Sequence, residues 1–431
     1  MDPITVGWIG MAVFLLLLVF GVPVGMAMAL VGFAGFAWLV SPEASIGKAA
    51  LIPFTTVTDY NFAVVPAFIL MAQIFGVTGM GSRLYDLCEK WMGSLRGGLA
   101  LATIFASAIF AAISSSTIAT VVTIGAIAIP EMMRRRYDPG FAGATVAAAG
   151  GLGVLIPPSA ILILYGLMTE QSIRELFRAG VVPGVSLAAA YAATVAIVCR
   201  LRPEFATAGN RYSLKEKWKA LAGAWETILL ILLSLGGLFA GWFTPTEAGA
   251  VGASGAMLIG LARRKLTFQG LMKALTATTA NSGMVALIMI GAFLLNYFVA
   301  VTGIPQALIE SVEALKVPAT VAMLVVTVVY LVLGMFMDSL AMLLLTIPFM
   351  FPLVQSLGYD PIWFGVYVVM VMEMAVITPP VGMNVYAVSG LVRELPLDTV
   401  FRRVFPFVVA QIAVIILMIY FPDFVTFINR S

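Results

Sequence analysis

The 431-residue chain is 61% hydrophobic and only 10% charged, with a mean hydropathy of +1.06. An ordinary soluble domain carries about 25% charged residues, so this composition excludes a soluble globular enzyme and indicates a polytopic membrane protein surrounded by lipid. The formal net charge of +3 is spread over many loops rather than gathered in one basic patch, which argues against nucleic acid as a partner.

Histidine is absent, and the two cysteines, Cys88 and Cys199, stand far apart in the sequence. The absence of histidine excludes His-based catalytic triads, His-ligated metals and imidazole proton relays. Two isolated cysteines form neither a cysteine-rich metal site nor a disulfide framework, and we expect them to be small buried side chains. No cofactor is expected.

Apolar runs of about 20 residues, long enough to cross about 30 Å of hydrocarbon, recur from Ile4 to Phe421. The first run has no basic residue before Lys48 and is longer than the apolar core of a signal peptide, so we expect a retained membrane helix. In chain order, the first half is predicted to contain two crossings in residues 4–40, a third in 51–80, a re-entrant hairpin in 98–133, and two more crossings in 139–168 and 179–201.

An internal repeat relates the two halves of the chain at an offset of 222 residues. The features in register are Pro23 with Pro245, the motif Tyr137-Asp138-Pro139 with Tyr359-Asp360-Pro361, and the pair Pro157-Pro158 with Pro379-Pro380. The predicted organisation is a first repeat at 1–201, a cytoplasmic connector at 202–222 and a second repeat at 223–431.

Basic residues indicate that the two repeats are inverted. Arg134-Arg135-Arg136 matches the uncharged segment 355–358, whereas Arg263-Arg264-Lys265 matches 41–43, which has no basic residue. Cytoplasmic loops are enriched in Lys and Arg, so matched loops are expected on opposite sides, with about five crossings per half and a periplasmic N-terminus. Inverted repeats are typical of secondary transporters. Residues 81–96 and 305–316 are either amphipathic interfacial helices or polar loops.

Four polar or proline-broken segments interrupt the apolar runs, in two matched pairs. One pair is Ser114-Ser115-Ser116-Thr117 with residues 334–339, and the other is residues 150–159 with residues 377–384. Non-helical backbone at membrane depth is tolerated only where protein buries it or where it lines a cavity. Such breaks free carbonyl oxygens for Na⁺ and direct helix N-termini at an anion, so a central binding site is predicted.

Other interpretations of these segments remain open. The serine tip also suits close packing of small residues between helices, and the prolines also suit simple kinks. An ionised Asp338 at the bilayer centre costs about 2.5–3.5 kcal/mol unless it has a partner, which favours a cation or substrate role over an N-cap role. For Glu226, Glu247 and Glu373, helix capping or an interfacial position explains the sequence at least as well as a functional role.

Four stretches resemble the large membrane subunit of the tripartite ATP-independent periplasmic (TRAP) transporters, the DctM-like family, and the likeness covers essentially the whole chain. They read FAAISSSTIATVVTIGAIAIPEM, RRYDPGFAGATVAAAGGLGVLIPPSAILILYG, FTPTEAGAVGA and GYDPIWFGVYVVMVMEMAVITPPVGMNVYAVSG. The resemblance implies an elevator-type fold with a scaffold and a mobile transport domain, coupled to Na⁺. It also implies two partners, a separate four-helix membrane subunit (DctQ-like) and a periplasmic substrate-binding protein (DctP-like).

Site residues follow from the same resemblance. The implied substrate-binding residues are Ser114, Ser115, Ser116, Ser159, Asp338 and Asn384. The implied Na⁺ ligands are Ser116, Thr117, Gly151, Pro157, Gly334, Asp338, Thr378, Pro379 and Gly382. Where family members often have Ser-Gly-Ser-Ser, this chain has Ser114-Ser115-Ser116-Thr117, so the backbone freedom of glycine is lost at Ser115.

The expected function is therefore import of a small organic anion, such as a C4-dicarboxylate, sialic acid or another carboxylate, across the bacterial inner membrane. The main alternative is a stand-alone Na⁺- or H⁺-coupled symporter of the same superfamily. A passive channel is disfavoured because local polar tips replace a continuous polar face. An intramembrane hydrolase would need a nucleophile with a base, and the lysines lie in loops.

Overall fold

The computed structural model describes residues 1–207, 209–392 and 395–429, and this part of the chain is helical with no β-strand. Its α-helices, in chain order, are α1 (Pro3–Val19), α2 (Val24–Leu39), α3 (Pro42–Thr58), α4 (Val64–Val77), α5 (Met80–Met92), α6 (Gly98–Ser114), α7 (Thr117–Arg134), α8 (Pro139–Gly150), α9 (Leu152–Leu155), α10 (Ala160–Thr169), α11 (Ile173–Leu201), α12 (Leu214–Gly223), α13 (Trp225–Ile231), α14 (Gly237–Ala240), α15 (Pro245–Ala262), α16 (Phe268–Thr302), α17 (Ile304–Ala314), α18 (Ala319–Gly334), α19 (Ser339–Ser356), α20 (Pro361–Ala375), α21 (Met383–Leu391), α22 (Leu397–Tyr420) and α23 (Asp423–Thr426).

Within these described residues, seven helical segments are long and apolar enough to cross a membrane, or eight if the bent segment from α12 to α14 is one span. Five shorter apolar helices accompany them, namely α1, α2, α6, α18 and α20. The chain is thus an all-α polytopic membrane protein, as the composition predicted. The five crossings per half, the inversion and the divisions at 201 and 223 stay predictions.

The helices pack in two groups. In the peripheral group, α1–α4 and α13–α16, the long helix α16 lies along α2 and α4, and α15 packs on α4. In the central group, α6–α11 and α18–α23, α8 packs against α7 and α22, while α20 packs against α11, α18 and α19. Every residue of α8 from Gly140 and every residue of α20 from Ile362 is buried. The two broken helices therefore form the middle of the molecule.

Two amphipathic helices connect the groups. Helix α5 packs against α6 and α7, and α17 packs against α19. On α5, Leu84, Tyr85 and Cys88 are buried, while Asp86 and Lys90 form an ion pair at 2.8 Å on the outer side. For residues 81–96 and 305–316 the sequence left both helices and polar loops open, and the structure has a helix in each segment, α5 and α17. Both cysteines are free and buried, as expected.

The repeated Tyr-Asp-Pro motif begins both central helices in the same way. The Asp138 carboxylate accepts a hydrogen bond from the Phe141 N–H at 2.8 Å, and the Asp360 carboxylate accepts one from the Trp363 N–H at 3.0 Å. The following proline occupies the first helical position. A backbone N–H at this position makes no hydrogen bond within the helix, so its absence in proline costs nothing. Local chemistry therefore sets these two helix starts.

The crossing predicted for residues 51–80 was wrong at its start. Helix α3 covers its first part, because Ser41 caps a helix that begins at Pro42. At Asp59 the backbone becomes extended, and the Asp59 carboxylate accepts a hydrogen bond from the Asn61 N–H at 2.7 Å. The candidate span is the shorter segment Tyr60–Val77, which follows this break.

Candidate functional site

The first hairpin consists of α6 and α7, which pack against each other and are joined by a short serine tip. Ser115 has a φ of 51°, in the left-handed region, and Ser116 is extended. Ser115 thus keeps a conformation that glycine adopts more easily, at a cost of about 1–2 kcal/mol. The Ser116 hydroxyl accepts a hydrogen bond from the Ala119 N–H at 3.3 Å and caps α7, and Ser114 bonds Thr120 at 2.8 Å.

The second hairpin consists of α18 and α19, and its tip ends at Asp338. The Asp338 carboxylate accepts hydrogen bonds from the backbone N–H groups of Leu340 at 2.9 Å and Ala341 at 3.0 Å. It therefore caps α19, which is the structural alternative that the sequence left open. Asp338 nevertheless remains exposed at the tip, so its charge is available to a ligand.

Both broken helices are interrupted at their double prolines, as predicted. Helix α9 ends at Leu155 and α10 begins at Ala160, with a cis bond between Pro157 and Pro158. In the second half, α20 ends at Ala375 and α21 begins at Met383, with a cis bond in the matching proline pair. Each break is followed by the N-terminus of a new helix.

All four of these helix N-termini border one cavity of about 470 Å³. Its lining includes Ser116 and Thr117 before α7, Ala160 on α10, Asp338 before α19, and Asn384 on α21. Partial positive charge accumulates at a helix N-terminus, so four of them make the cavity attractive to an anion. Asp338 is the one ionisable side chain among the described lining residues.

Five of the six predicted substrate residues line this cavity, namely Ser114, Ser115, Ser116, Asp338 and Asn384. The sixth, Ser159, does not, because it is fully buried and its hydroxyl accepts a hydrogen bond from the Leu162 N–H at 3.2 Å. Ser159 therefore caps α10 behind the cavity wall. The hydroxyl of Ser115 is buried and has no hydrogen-bond partner in the described part of the chain.

The predicted ion ligands fall into two neighbourhoods. At the first tip, Thr117 lines the cavity, while Gly151 and Pro157 are buried behind it. In the second half, Gly334, Thr378, Pro379 and Gly382 do not line the cavity, and Pro379 is exposed. An added Cβ at Gly334 would overlap the Ala375 side chain, so the end of α18 touches the end of α20.

The opposite wall of the cavity comes from the peripheral group, which the sequence did not assign to the site. Gln73 on α4 and Asn281 on α16 line it, together with the apolar residues Ile69, Met284 and Val285. The only available signal was an isolated amide side chain within a long apolar run, and Asn296 on α16 gives the same signal without lining the cavity. Such a residue is also compatible with helix packing, so sequence reasoning missed both.

The three buried or interfacial glutamates have different positions. Glu247 forms a capping box with Thr244 at the start of α15, as the capping interpretation predicted. Glu226 is buried and forms ion pairs with Arg83, at 2.9 Å, and with Arg263. Glu373 neither caps a helix nor lies at an interface, since it is buried within α20. For Glu373, that interpretation was wrong.

Comparison with known proteins identifies the family. The family model described as tripartite ATP-independent periplasmic transporter, DctM component, matches residues 11–424. The C4-dicarboxylate TRAP transporter large permease protein DctM of Pseudomonas aeruginosa is 36% identical over 387 residues, 89% of each chain. The sialic acid TRAP transporter large permease protein SiaM of Vibrio cholerae is 32% identical over 419 residues, covering 97% of this chain and 96% of that protein.

A solved structure agrees on the fold. Neisseria gonorrhoeae MtrF superposes with a TM-score of 0.62 at 13% sequence identity, covering 98% of this chain and 96% of that one. At this identity the likeness concerns the fold alone. The family model and both relatives span nearly the whole chain, and the protein therefore belongs to the DctM family of large permease components of TRAP transporters.

Proposed function

We propose that the protein is the large membrane subunit of a secondary, Na⁺-coupled and binding-protein-dependent transporter, which imports a small organic anion by an elevator mechanism. One observation carries the proposal: the N-termini of α7, α10, α19 and α21 border a single cavity. Helix N-termini favour anionic ligands through their partial positive charge and their N–H groups. Both packing groups border the cavity. This position is required if the central group carries the bound substrate past the peripheral group.

The proposed substrate is a small carboxylate. Hydroxyl groups of the serine tip and the Asn384 amide supply neutral donors around the cavity. Its volume of about 470 Å³ lies within the range of about 300–1,000 Å³ for small-molecule sites. The relatives from Pseudomonas aeruginosa and Vibrio cholerae are named for a C4-dicarboxylate and sialic acid, and both compounds are organic acids.

Na⁺ is the proposed coupling ion. A hard cation prefers oxygen ligands, and the first tip offers the hydroxyls of Ser115, Ser116 and Thr117. The Ser115 hydroxyl suits a ligand because it is buried and lacks a hydrogen-bond partner among the described residues. In the second half, the Thr378 carbonyl oxygen lies close to Gly382, 3.3 Å from where a Cβ would be, and this oxygen is a candidate ion ligand.

The elevator motion would move the central group against the peripheral group. Helices α5 and α17 connect the two groups and would bend or tilt during this motion. The proposed partners are a separate four-helix membrane subunit and a periplasmic substrate-binding protein. The inner-membrane location with a periplasmic N-terminus is supported by the basic residues 134–136 and by the basic connector.

Uptake into proteoliposomes tests this proposal. Vesicles containing this chain and its small subunit are offered radiolabelled succinate, sialic acid and other organic acids, with and without an inward Na⁺ gradient and the cognate binding protein. We expect uptake that needs both the gradient and the binding protein. Uptake driven by an ion gradient alone would instead establish a stand-alone symporter, and uptake indifferent to Na⁺ would contradict the proposed coupling.

A further inference from the structure

Glu373 lies in the middle of the molecule and contacts both hairpin tips. Its side chain is 1% exposed. The Thr117 hydroxyl, from the first tip, donates a hydrogen bond to Glu373 Oε2 at 2.9 Å. The Ser339 hydroxyl, from the second tip, donates a hydrogen bond to Glu373 Oε1 at 3.3 Å. One carboxylate thus joins the two tips, although Thr117 and Ser339 are 222 residues apart in the sequence.

The surroundings of Glu373 accommodate the carboxylate closely. A Cβ added at Gly151, the residue between α8 and α9, would lie 3.2 Å from Glu373 Oε2, so the backbone approaches the carboxylate at a position without a side chain. Within the described residues, Glu373 has no ion pair with a lysine or arginine. Its fixed position therefore depends on the two hydroxyl groups rather than on a salt bridge.

The two hydroxyl donors belong to segments that border the cavity. Thr117 is the first residue of α7 and Ser339 is the first residue of α19, and both line the cavity. A ligand that shifts either helix start changes the hydrogen bond to Glu373. Because the carboxylate is held between both donors, a movement of one helix start displaces the carboxylate and thereby the other helix start. Na⁺ and substrate can then influence each other without touching.

We propose that Glu373 is a positioning residue that links the hairpin tips, so that Na⁺ binding and substrate binding strengthen each other. The inference rests on the proposed Na⁺-coupled function and adds the group through which the two ligands are coupled. Coupling of this kind is a free energy between two sites and is reciprocal at equilibrium. It is therefore measurable as a change in Na⁺ affinity caused by substrate.

The experiment measures equilibrium binding to the purified two-subunit complex. Na⁺ is titrated with radiolabelled succinate or sialic acid, whichever the wild-type protein takes up, at low and at saturating concentration. In the wild type we expect saturating acid to lower the half-saturating Na⁺ concentration by about tenfold. Ser339→Ala, which removes one of the two hydrogen bonds, should reduce this factor to about threefold or less, and Glu373→Met should abolish it.

A double-mutant cycle separates this role from direct ligand contact. If Ser339 acts only through Glu373, adding Ser339→Ala to Glu373→Met leaves the affinity for the acid unchanged, whereas a direct contact of Ser339 with the acid would lower that affinity further. The matched control is Thr346→Val, on α19 like Ser339. The Thr346 hydroxyl forms a hydrogen bond with the Tyr330 hydroxyl within the second hairpin at 2.7 Å, away from Glu373. Its coupling factor should equal that of the wild type.

The outcomes distinguish the two proposals. Na⁺-independent binding in the wild type would overturn the coupled function and this inference together. Coupling that is present in the wild type and unchanged in Ser339→Ala and Glu373→Met would overturn only the role of Glu373. Gel filtration of each variant with the small subunit checks that the complex assembles. If Glu373→Met fails to assemble, Glu373→Gln replaces it; its amide has one acceptor oxygen and accepts from only one of the two hydroxyl groups, so its coupling factor should be about that of Ser339→Ala.

Discussion

Asn384 donates a hydrogen bond from its side-chain nitrogen to the Ala147 carbonyl oxygen at 3.1 Å, which joins the broken helix of one half to that of the other. Asn384 is 1% exposed, although it also lines the cavity. A residue that both borders the site and holds the two central helices together makes the geometry of the cavity depend on the contact between the halves.

Asn384→Asp tests this contact. The change keeps the size of the side chain but replaces the donor with an acceptor, so two oxygens would face each other in a buried position. Leaving a buried polar group unsatisfied costs about 1–3 kcal/mol, and we expect a lower thermal unfolding temperature together with strongly reduced uptake. Unchanged stability in nanodiscs would show that the hydrogen bond to Ala147 does not hold the helices together.

Replacing Asp338 separates its charge from its capping role. Asparagine is also a good N-cap residue, so Asp338→Asn should preserve α19 while it removes the charge that borders the cavity. We expect this variant to assemble with the small subunit and to lose most of its uptake. Asp338→Ala should lose uptake and also about 0.5–2 kcal/mol of stability. Normal uptake by Asp338→Asn would show that transport does not need the negative charge of Asp338.

The contact between α2 and α16 gives a prediction about stability alone. An added Cβ at Gly291 would overlap the Gly25 carbonyl oxygen, whereas one at Gly283, on the same helix, would meet nothing within 4 Å. Since backbone cannot move aside as a flexible side chain can, Gly291→Ala should cost about 1–3 kcal/mol through overpacking. Gly283→Ala is the control, and thermal unfolding of both variants should differ clearly. Equal unfolding temperatures would mean that the helices separate easily.

The connector helix α12 gives a prediction about pH. The Ser213 hydroxyl and the Ser213 N–H both donate hydrogen bonds to the Glu216 carboxylate, and these bonds lower the pKa of Glu216 below its ordinary 4.5. A lowered pKa in the folded state contributes stability above pH 4.5, which is lost as the pH falls through the folded value.

Hydrogen exchange of the α12 amides, corrected for the intrinsic pH dependence of exchange, measures this effect. We expect protection to decrease in acid for the wild type. In Glu216→Gln the protection should not change with pH in this range, because the amide does not titrate. A wild-type protein whose α12 protection is the same at pH 7 and pH 3 would contradict the capping box as a source of stability.

Local features of the fold were predictable from the sequence because they depend on neighbouring residues. Asp138 and Asp360 begin helices through the motif that contains them, and Pro157 and Pro379 end helices because proline lacks an N–H. The boundary near Asp59 was missed because a single carboxylate that accepts one local hydrogen bond leaves no change in apolar periodicity.

The sequence by itself determined the membrane class, the positions of the hairpin tips and helix breaks, and the family, since these depend on composition, local backbone chemistry and motif order. Only the tertiary structure decided that Ser159 is buried and does not line the cavity, that Gln73 and Asn281 form part of the opposite wall, and that Glu373 joins both tips. The physical reason is that these facts depend on which side chains face each other across helices distant in sequence, and the local pattern of one helix does not specify its partner.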